Sequence, residues 1–312
     1  ATGWAAVTTP VLLPGGRYEF KNYNFGGSTS TYKMFGCDGV NKGFQFDGTT
    51  YTEIVTGMTD DTPTHLYPHK KHLFFSFRLG SVQHSSIGDP LMWSPITGAG
   101  EIGIGQEITG MSQAPGDILA IFGNNSTNIL YGTSAATWEL KTFSSEAGAI
   151  EWSVQEMLYP MFLDDRGITH LPATDTYGDF TSKTISNKVE PLVRKQFTNV
   201  EGSMRSRTKD QYRLFLKDGS FFVLSLNDNK VIGITRGNYG KVIRVPVSHE
   251  KEDGSEILLF GDDDGYVYIA DSGNSFDGNE VDAHIRPAFN HFKAPVGKKR
   301  FFKVVLEIDA QK

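Results

Sequence analysis

A chain of 312 residues can hold two ordinary domains or one large β domain, and 34 glycines with only 21% charged residues favour short strands joined by tight turns. The net charge of −6 excludes a protein that clamps nucleic acid through many phosphate contacts. The single cysteine, Cys37, excludes an internal disulfide framework and fits a reducing compartment.

In chain order, residues 1–16 read as an N-terminal extension without the charged start and apolar core of a secretory signal. RYEFKNYNF (17–25) reads as a strand. MFGCDGVNKGFQFDG (34–48) is the first of a set in which an apolar Phe leads into a polar turn and a second strand. A looser member, LFFSFRLGSVQHSSIGDPLMWSP (73–95), follows, and then IFGNNSTNILYG (121–132), MFLDDRGITHL (161–171), LFLKDGSFFVLSL (214–226) and LFGDDDGYVYIAD (259–271). The marker residues Phe35, Phe74, Phe122, Phe162, Phe215 and Phe260 are 39, 48, 40, 53 and 45 residues apart, which is the spacing of propeller blades. TTYTEIV (49–55), TWELKTF (137–143) and NKVIGITRG (229–237) read as second strand pairs completing the units. The expected fold is therefore all-β, a propeller of about six four-stranded blades spanning residues 17–312. Its ring closes by a shared blade from the N-terminal strand and FFKVVLEID (301–309).

FTSKTISNKVEPLVRKQF (180–197) breaks the pattern. Ile185, Val189, Leu192 and Val193 lie at helical spacing and Pro191 belongs in a first turn, so a short helical insertion is expected near residues 184–196 between blades four and five. Because it interrupts the repeat, Lys188, Glu190, Arg194 and Lys195 are the candidate partner-binding residues. The loops 98–107 and 248–256 come next.

Tests for chemistry return little. In FGDDDGYVYIADSGNSFDG (260–278), an EF-hand register with Gly265 at the sixth position puts Phe260 first and Asp271 twelfth, so Asp262, Asp263 and Asp264 read as a hairpin tip, not a calcium loop. His65, His69 and His72 have helical ligand spacing, but Pro68 lies between them and a strand follows, so a surface loop is expected and no metal site. Glu101, Glu107, Glu146, Glu151 and Glu156 are carboxylates available for glycoside hydrolysis, without any spacing that sets a pair. GAGEIGIGQ (98–106) lacks a following helix and reads as an interblade loop, and KAPVGKKRFFK (293–303) as a solvated or subunit-facing turn. No cofactor is expected, and the chain reads as non-enzymatic. Trp93, Trp138, Trp152, Tyr239 and Tyr266 keep a carbohydrate-binding alternative open, although blade core is the plainer place for each Trp.

The order of GGRYEFKNYNFGG (15–27), FQFDGTTYTEI (44–54), residues 72–95, DILAIFGNNSTNILYGTSAATWEL (117–140), residues 161–193 and KRFFKVVLEID (299–309) resembles propeller-bearing tail nozzle or hub proteins of tailed bacteriophages. The resemblance implies a structural virion protein, made in the host cytoplasm. It implies a homo-oligomeric ring bound to other tail proteins, helping to seal or gate DNA exit. Duplex DNA would pass without sequence-specific binding, and the acidic balance is compatible with that passage. No membrane segment is implied, and the chain is shorter than the nozzle pattern.

Overall fold

The computed structural model describes residues 10–172, 183–186, 189–228, 230–282, 296–298, 300, 303 and 305. Among the described residues six small antiparallel sheets follow one another along the chain. The first comprises β1 (Glu19–Asn24), β2 (Tyr32–Cys37), β3 (Phe44–Phe46) and β4 (Tyr51–Glu53). The second comprises β5 (His65–His69), β6 (His72–Phe77), β7 (Ser81–His84) and β8 (Gly100–Gly103), and the third β9 (Ile108–Ala114), β10 (Ile118–Gly123), β11 (Thr127–Tyr131) and β12 (Glu139–Ser144). The fourth comprises β13 (Met161–Asp164), β14 (Gly167–His170) and β15 (Lys183–Thr184), and the fifth β16 (Val200–Ser206), β17 (Gln211–Leu216), β18 (Ser220–Asn227) and β19 (Lys230–Asn238). The sixth comprises β20 (Ile243–Glu250), β21 (Glu256–Asp262) and β22 (Val267–Ile269). This is the β-propeller the repeat spacing predicts, with two of the six sheets three-stranded among the described residues.

Strand geometry explains why these sequences pack as blades. Successive side chains point to opposite faces, so a strand buried on both faces reads as a continuous apolar run. Along β6, Leu73, Phe75 and Phe77 pack with Phe35 and Cys37 of the first sheet and Ile54 just after it, while Phe74 between them packs with Ile108, Leu119 and Ile121 of the third. The same division recurs in β17, where Tyr212, Leu214 and Leu216 face the fourth sheet and Phe215 faces the sixth. All six marker phenylalanines are at most 5% exposed. Burying a side chain of that size stabilises by roughly 1.5–3 kcal/mol each.

The repeat is nonetheless offset from the expected unit. Each marker Phe lies on the second strand of its sheet, or on β13 in the fourth, and the hairpin it opens is preceded by an inner strand such as β1, β16 or β20. The segments expected to be second strand pairs are instead single outer strands, β4, β12 and β19. In the fourth sheet the inner position is held by Gln155, whose backbone exchanges hydrogen bonds of 2.8 and 3.0 Å with Met161.

The chain divides into two compact units, residues 1–272, which contain all six sheets, and residues 273–312. The expected closing strand, 301–309, and most of the basic run 293–303 lie outside the described residues. Within the second unit, Phe276 and Asn279 form a two-residue bridge. Among the described residues no helix is long and apolar enough to cross a membrane.

Candidate functional site

Inner strands surround the centre of the first unit and bound a cavity of about 610 Å3. Its wall takes side chains from β1, β5, β9, the 152–156 segment, β16 and β20, one stretch from each sheet. Facing water, these strands carry polar and charged residues that would be misplaced deeper in the blades.

At one end of the wall Arg17, just before β1, lies 4.0 Å over the Trp152 ring. Its guanidinium donates to the carbonyl oxygen of Glu201 and, at 3.3 Å, to that of Arg244, so the start of the first sheet is bonded to the fifth and sixth. The Glu201 carboxylate, 6% exposed, lies 3.8 Å from Arg17 and 3.1 Å from Arg244, and Arg244 also pairs with Asp263. Trp152 has φ +64°, a left-handed conformation rare for a bulky residue. The surroundings hold it there: Ser203 Oγ donates to its carbonyl at 2.7 Å, and the His65 ring packs 5.1 Å from the indole.

His65 is 2% exposed and is flanked by two carboxylates, Glu19 Oε2 at 2.9 Å from Nδ1 and Glu151 Oε1 at 3.5 Å from Nε2. Burial alone lowers a histidine pKa, but Glu151 and Glu19 overcome it and raise His65 to about 9. Held as an imidazolium, it cannot serve as a general base at neutral pH. Farther along the wall Tyr67 donates to Glu156 Oε2 at 2.5 Å, Arg205 donates to the Glu156 carbonyl at 2.5 Å, and Lys21 lies 5.1 Å over the Tyr67 ring. The charged groups of the wall are largely spent on one another.

Of the five glutamates considered for hydrolysis, only Glu151 and Glu156 reach this region, and each is engaged by a partner from β5. The histidines correct the surface-loop reading. His65 and His69 end strand β5, His69 pairs across the hairpin with His72, and all three are buried. Pro68 fits because β5 is the inner edge of its sheet. Among the described residues no group of three metal-ligating side chains is placed to hold an ion.

The Asp262–Asp264 stretch is a hairpin tip between β21 and β22. Asp262 Oδ1 accepts from the backbone N–H groups of Asp264 and Tyr266, and its other oxygen meets Lys241 at 3.2 Å. GAGEIGIGQ is not simply a loop, since it supplies β8 and Gln106, whose side chain braces the 123–126 turn.

Among the partner-binding candidates, Lys188 lies outside the described residues. Glu190 opens α1 (Glu190–Val193), a single turn with Pro191 in it, and Arg194 and Lys195 continue into a 3-10 turn. Glu190 and Arg194 pair at 3.3 Å, and the outer face, with Leu192 and Lys195, is exposed. Val193, fully buried, anchors the insertion in the core between the fourth and fifth sheets.

Most of the aromatic residues considered for sugar stacking are occupied. Trp93 stacks on Phe75 at 5.3 Å, Trp138 sits among histidines, and Trp152 lies between Arg17 and His65. Tyr239 lies 4.5 Å from Phe221 and 5.3 Å from Phe260, which leaves Tyr266 exposed.

No family model and no curated protein matches this chain. Solved structures do. BBS1N in complex with ARL6DN superposes with a TM-score of 0.54 at 13% identity, over 80% of this chain and 76% of that one. A catalytically inactive virginiamycin B lyase from Staphylococcus aureus with quinupristin superposes with a TM-score of 0.51 at 9% identity, over 81% and 88%. Likeness at these identities is a likeness of fold.

Proposed function

We propose that this chain is a non-enzymatic structural component of a phage tail, nozzle- or hub-like, whose copies form a ring around the DNA conduit and help seal or gate DNA exit. The observation that carries the reading is the central wall, where Arg17, Glu201, Arg244 and Asp263, and separately Glu19, His65 and Glu151, neutralise one another across sheets. Such a wall braces a ring of blades and leaves few charged groups free for a substrate. The conduit is formed between copies of the chain, because a cavity of about 610 Å3 cannot house duplex whose single turn runs roughly 34 Å. The net charge of −6 favours passage without retention.

Immunogold electron microscopy of particles from the source culture, with antibody raised against this chain, tests the reading. Gold at one pole of tailed particles is the expected result. Unlabelled particles with all antigen in the soluble fraction overturn it.

A further inference from the structure

The joint between the second and third sheets contains a group of buried histidines that the central site does not use. His69, His72 and His84 are 3%, 1% and 2% exposed and surround Trp138, with ring centroids 6.2, 5.5 and 5.9 Å from the indole. His72 and His84 meet edge to face at 5.0 Å, and their Nδ1 atoms reach the same acceptor, the Ser85 carbonyl, at 2.6 and 3.0 Å. A carbonyl accepts only from N–H, so both rings carry a proton on Nδ1, and burial favours the neutral form in which Nε2 carries none. Among the described residues no group of three metal-ligating side chains is placed to hold an ion here. His69 Nε2 and His72 Nε2 are buried without a hydrogen-bond partner.

The hairpin turn between His69 and His72 is also strained. Lys70 and Lys71 have φ +49° and +60°, the conformation of a two-residue turn that favours Asn-Gly. Left-handed residues other than Gly cost on the order of 1 kcal/mol each. The turn is held from outside, by the Lys70–Asp117 ion pair and by Gly88 N–H donating to the Lys71 carbonyl at 2.7 Å. Asp117 and Lys70 are the charged groups acting on the cluster, while Glu139 and Lys141 beside Trp138 on β12 pair with each other at 3.4 Å.

We propose that this cluster is an acid-sensitive latch: protonation of His69, His72 and His84 opens the β5–β6 hairpin end away from Trp138 while the rest of the propeller stays folded. On His69 and His72 an added proton places a cation on a buried Nε2 with no acceptor, and on His84 it adds a second cation against the His72 ring. Burial pushes all three pKa values below the ordinary 6.5, that of His69 to about 4. A lowered folded-state pKa contributes stability above pH 6.5 that is lost as pH falls towards the folded value. For His69 alone, opening at pH 5 is favoured on the order of thirtyfold over pH 7.5.

Amide hydrogen exchange at pH 7.5 and 5.0, corrected for the intrinsic rate, tests the latch on the intact chain. Peptides covering 65–86 and 127–141 are expected to lose protection on the order of thirtyfold or more at pH 5.0, while those covering 211–227 do not. His72→Phe is expected to shrink the difference. An imidazole NMR titration of the unaltered protein gives an independent reading, with the His69 signal moving near pH 4 and those of His72 and His84 moving below 6.5. Unchanged protection in the segment, an equal loss throughout the chain, or imidazoles titrating near 6.5 overturns the proposal.

Discussion

Arg213 is a buried cation within the blades. Its side chain is 4% exposed inside the fifth sheet, and Asp271 supplies the charge that makes burial tolerable, at 3.0 Å to Nη1 and 2.5 Å to Nη2. Burial alone raises an aspartate pKa, yet the bonds from Arg213 and Lys209 bring Asp271 down to about 2. Removing one partner of a buried pair leaves the other charge uncompensated, at a cost of about 3–5 kcal/mol. Asp271→Ala is therefore expected to lower unfolding stability by about 3 kcal/mol, measured by denaturant titration, and Asp271→Ala combined with Arg213→Met to recover most of it. His65 gives the opposite pH behaviour from the latch histidines. Its folded pKa of about 9 lies above the unfolded 6.5, so its stabilisation is complete below pH 6.5 and disappears as pH rises through about 9. Thermal unfolding of the unaltered protein should fall between pH 6.5 and 9.5, and His65→Gln should flatten that fall. Neither role was legible in the sequence, because Asp271 sits 58 residues from Arg213 and His65 46 from Glu19. For His65 only the spacing to His69 and His72 could be read there, and that spacing pointed to a surface loop.

At the scale of elements the turn chemistry, the apolar runs and the first inner strand, β1, were legible, and the inner strands β16 and β20 were not. A marker Phe followed by Asp-Gly or Asn-Asn identifies the second and third strands of a blade, since both are buried and the turn between them is tight. EFKNYN, the strand of β1, reads as a strand, whereas VEGSMRS and IRVPVSHE, the strands of β16 and β20, line a polar cavity and fall outside the Phe-turn-strand repeat that marked the blades. Glycines in and between strands also differ in how much substitution they tolerate. Gly80, with φ +81°, ends the β6–β7 turn, and a Cβ there would fall 2.3 Å from the Gln106 carbonyl oxygen. Gly233, in β19, has no positive φ and open space at its Cβ position. Gly80→Ala is expected to destabilise by about 2 kcal/mol or more, through backbone strain and the clash. Gly233→Ala is expected to be neutral or stabilising by about 0.4–1 kcal/mol. Paired melting curves of the two variants check both.

The whole molecule depends on how a linear series of sheets is turned into a ring. Consecutive sheets are joined by apolar clusters, first to second, second to third and onward to the sixth. Between the sixth and the first the described bonds are polar, through Arg17 to the Arg244 carbonyl and through Glu201, which meets both guanidinium groups. A polar closure is weaker than an apolar one, and its Arg side chains are 31% and 50% exposed, so water screens part of the attraction. Glu201 itself is 6% exposed, and its neutralisation takes a carboxylate from two cations at once, leaving Arg244 with Asp263. Glu201→Gln is therefore expected to cost about 1–3 kcal/mol, less than a fully buried pair. The loss should also be distributed in a particular way. If the closure is one cooperative device, β1 and β20 lose exchange protection together, although they lie at opposite ends of the first unit's sequence, while β6 and β10 between them keep theirs. Hydrogen exchange on Glu201→Gln at neutral pH decides the matter. Loss confined to β16, where Glu201 resides, would mean that Arg17 and Arg244 are held by their backbone contacts alone and that the carboxylate does not close the ring.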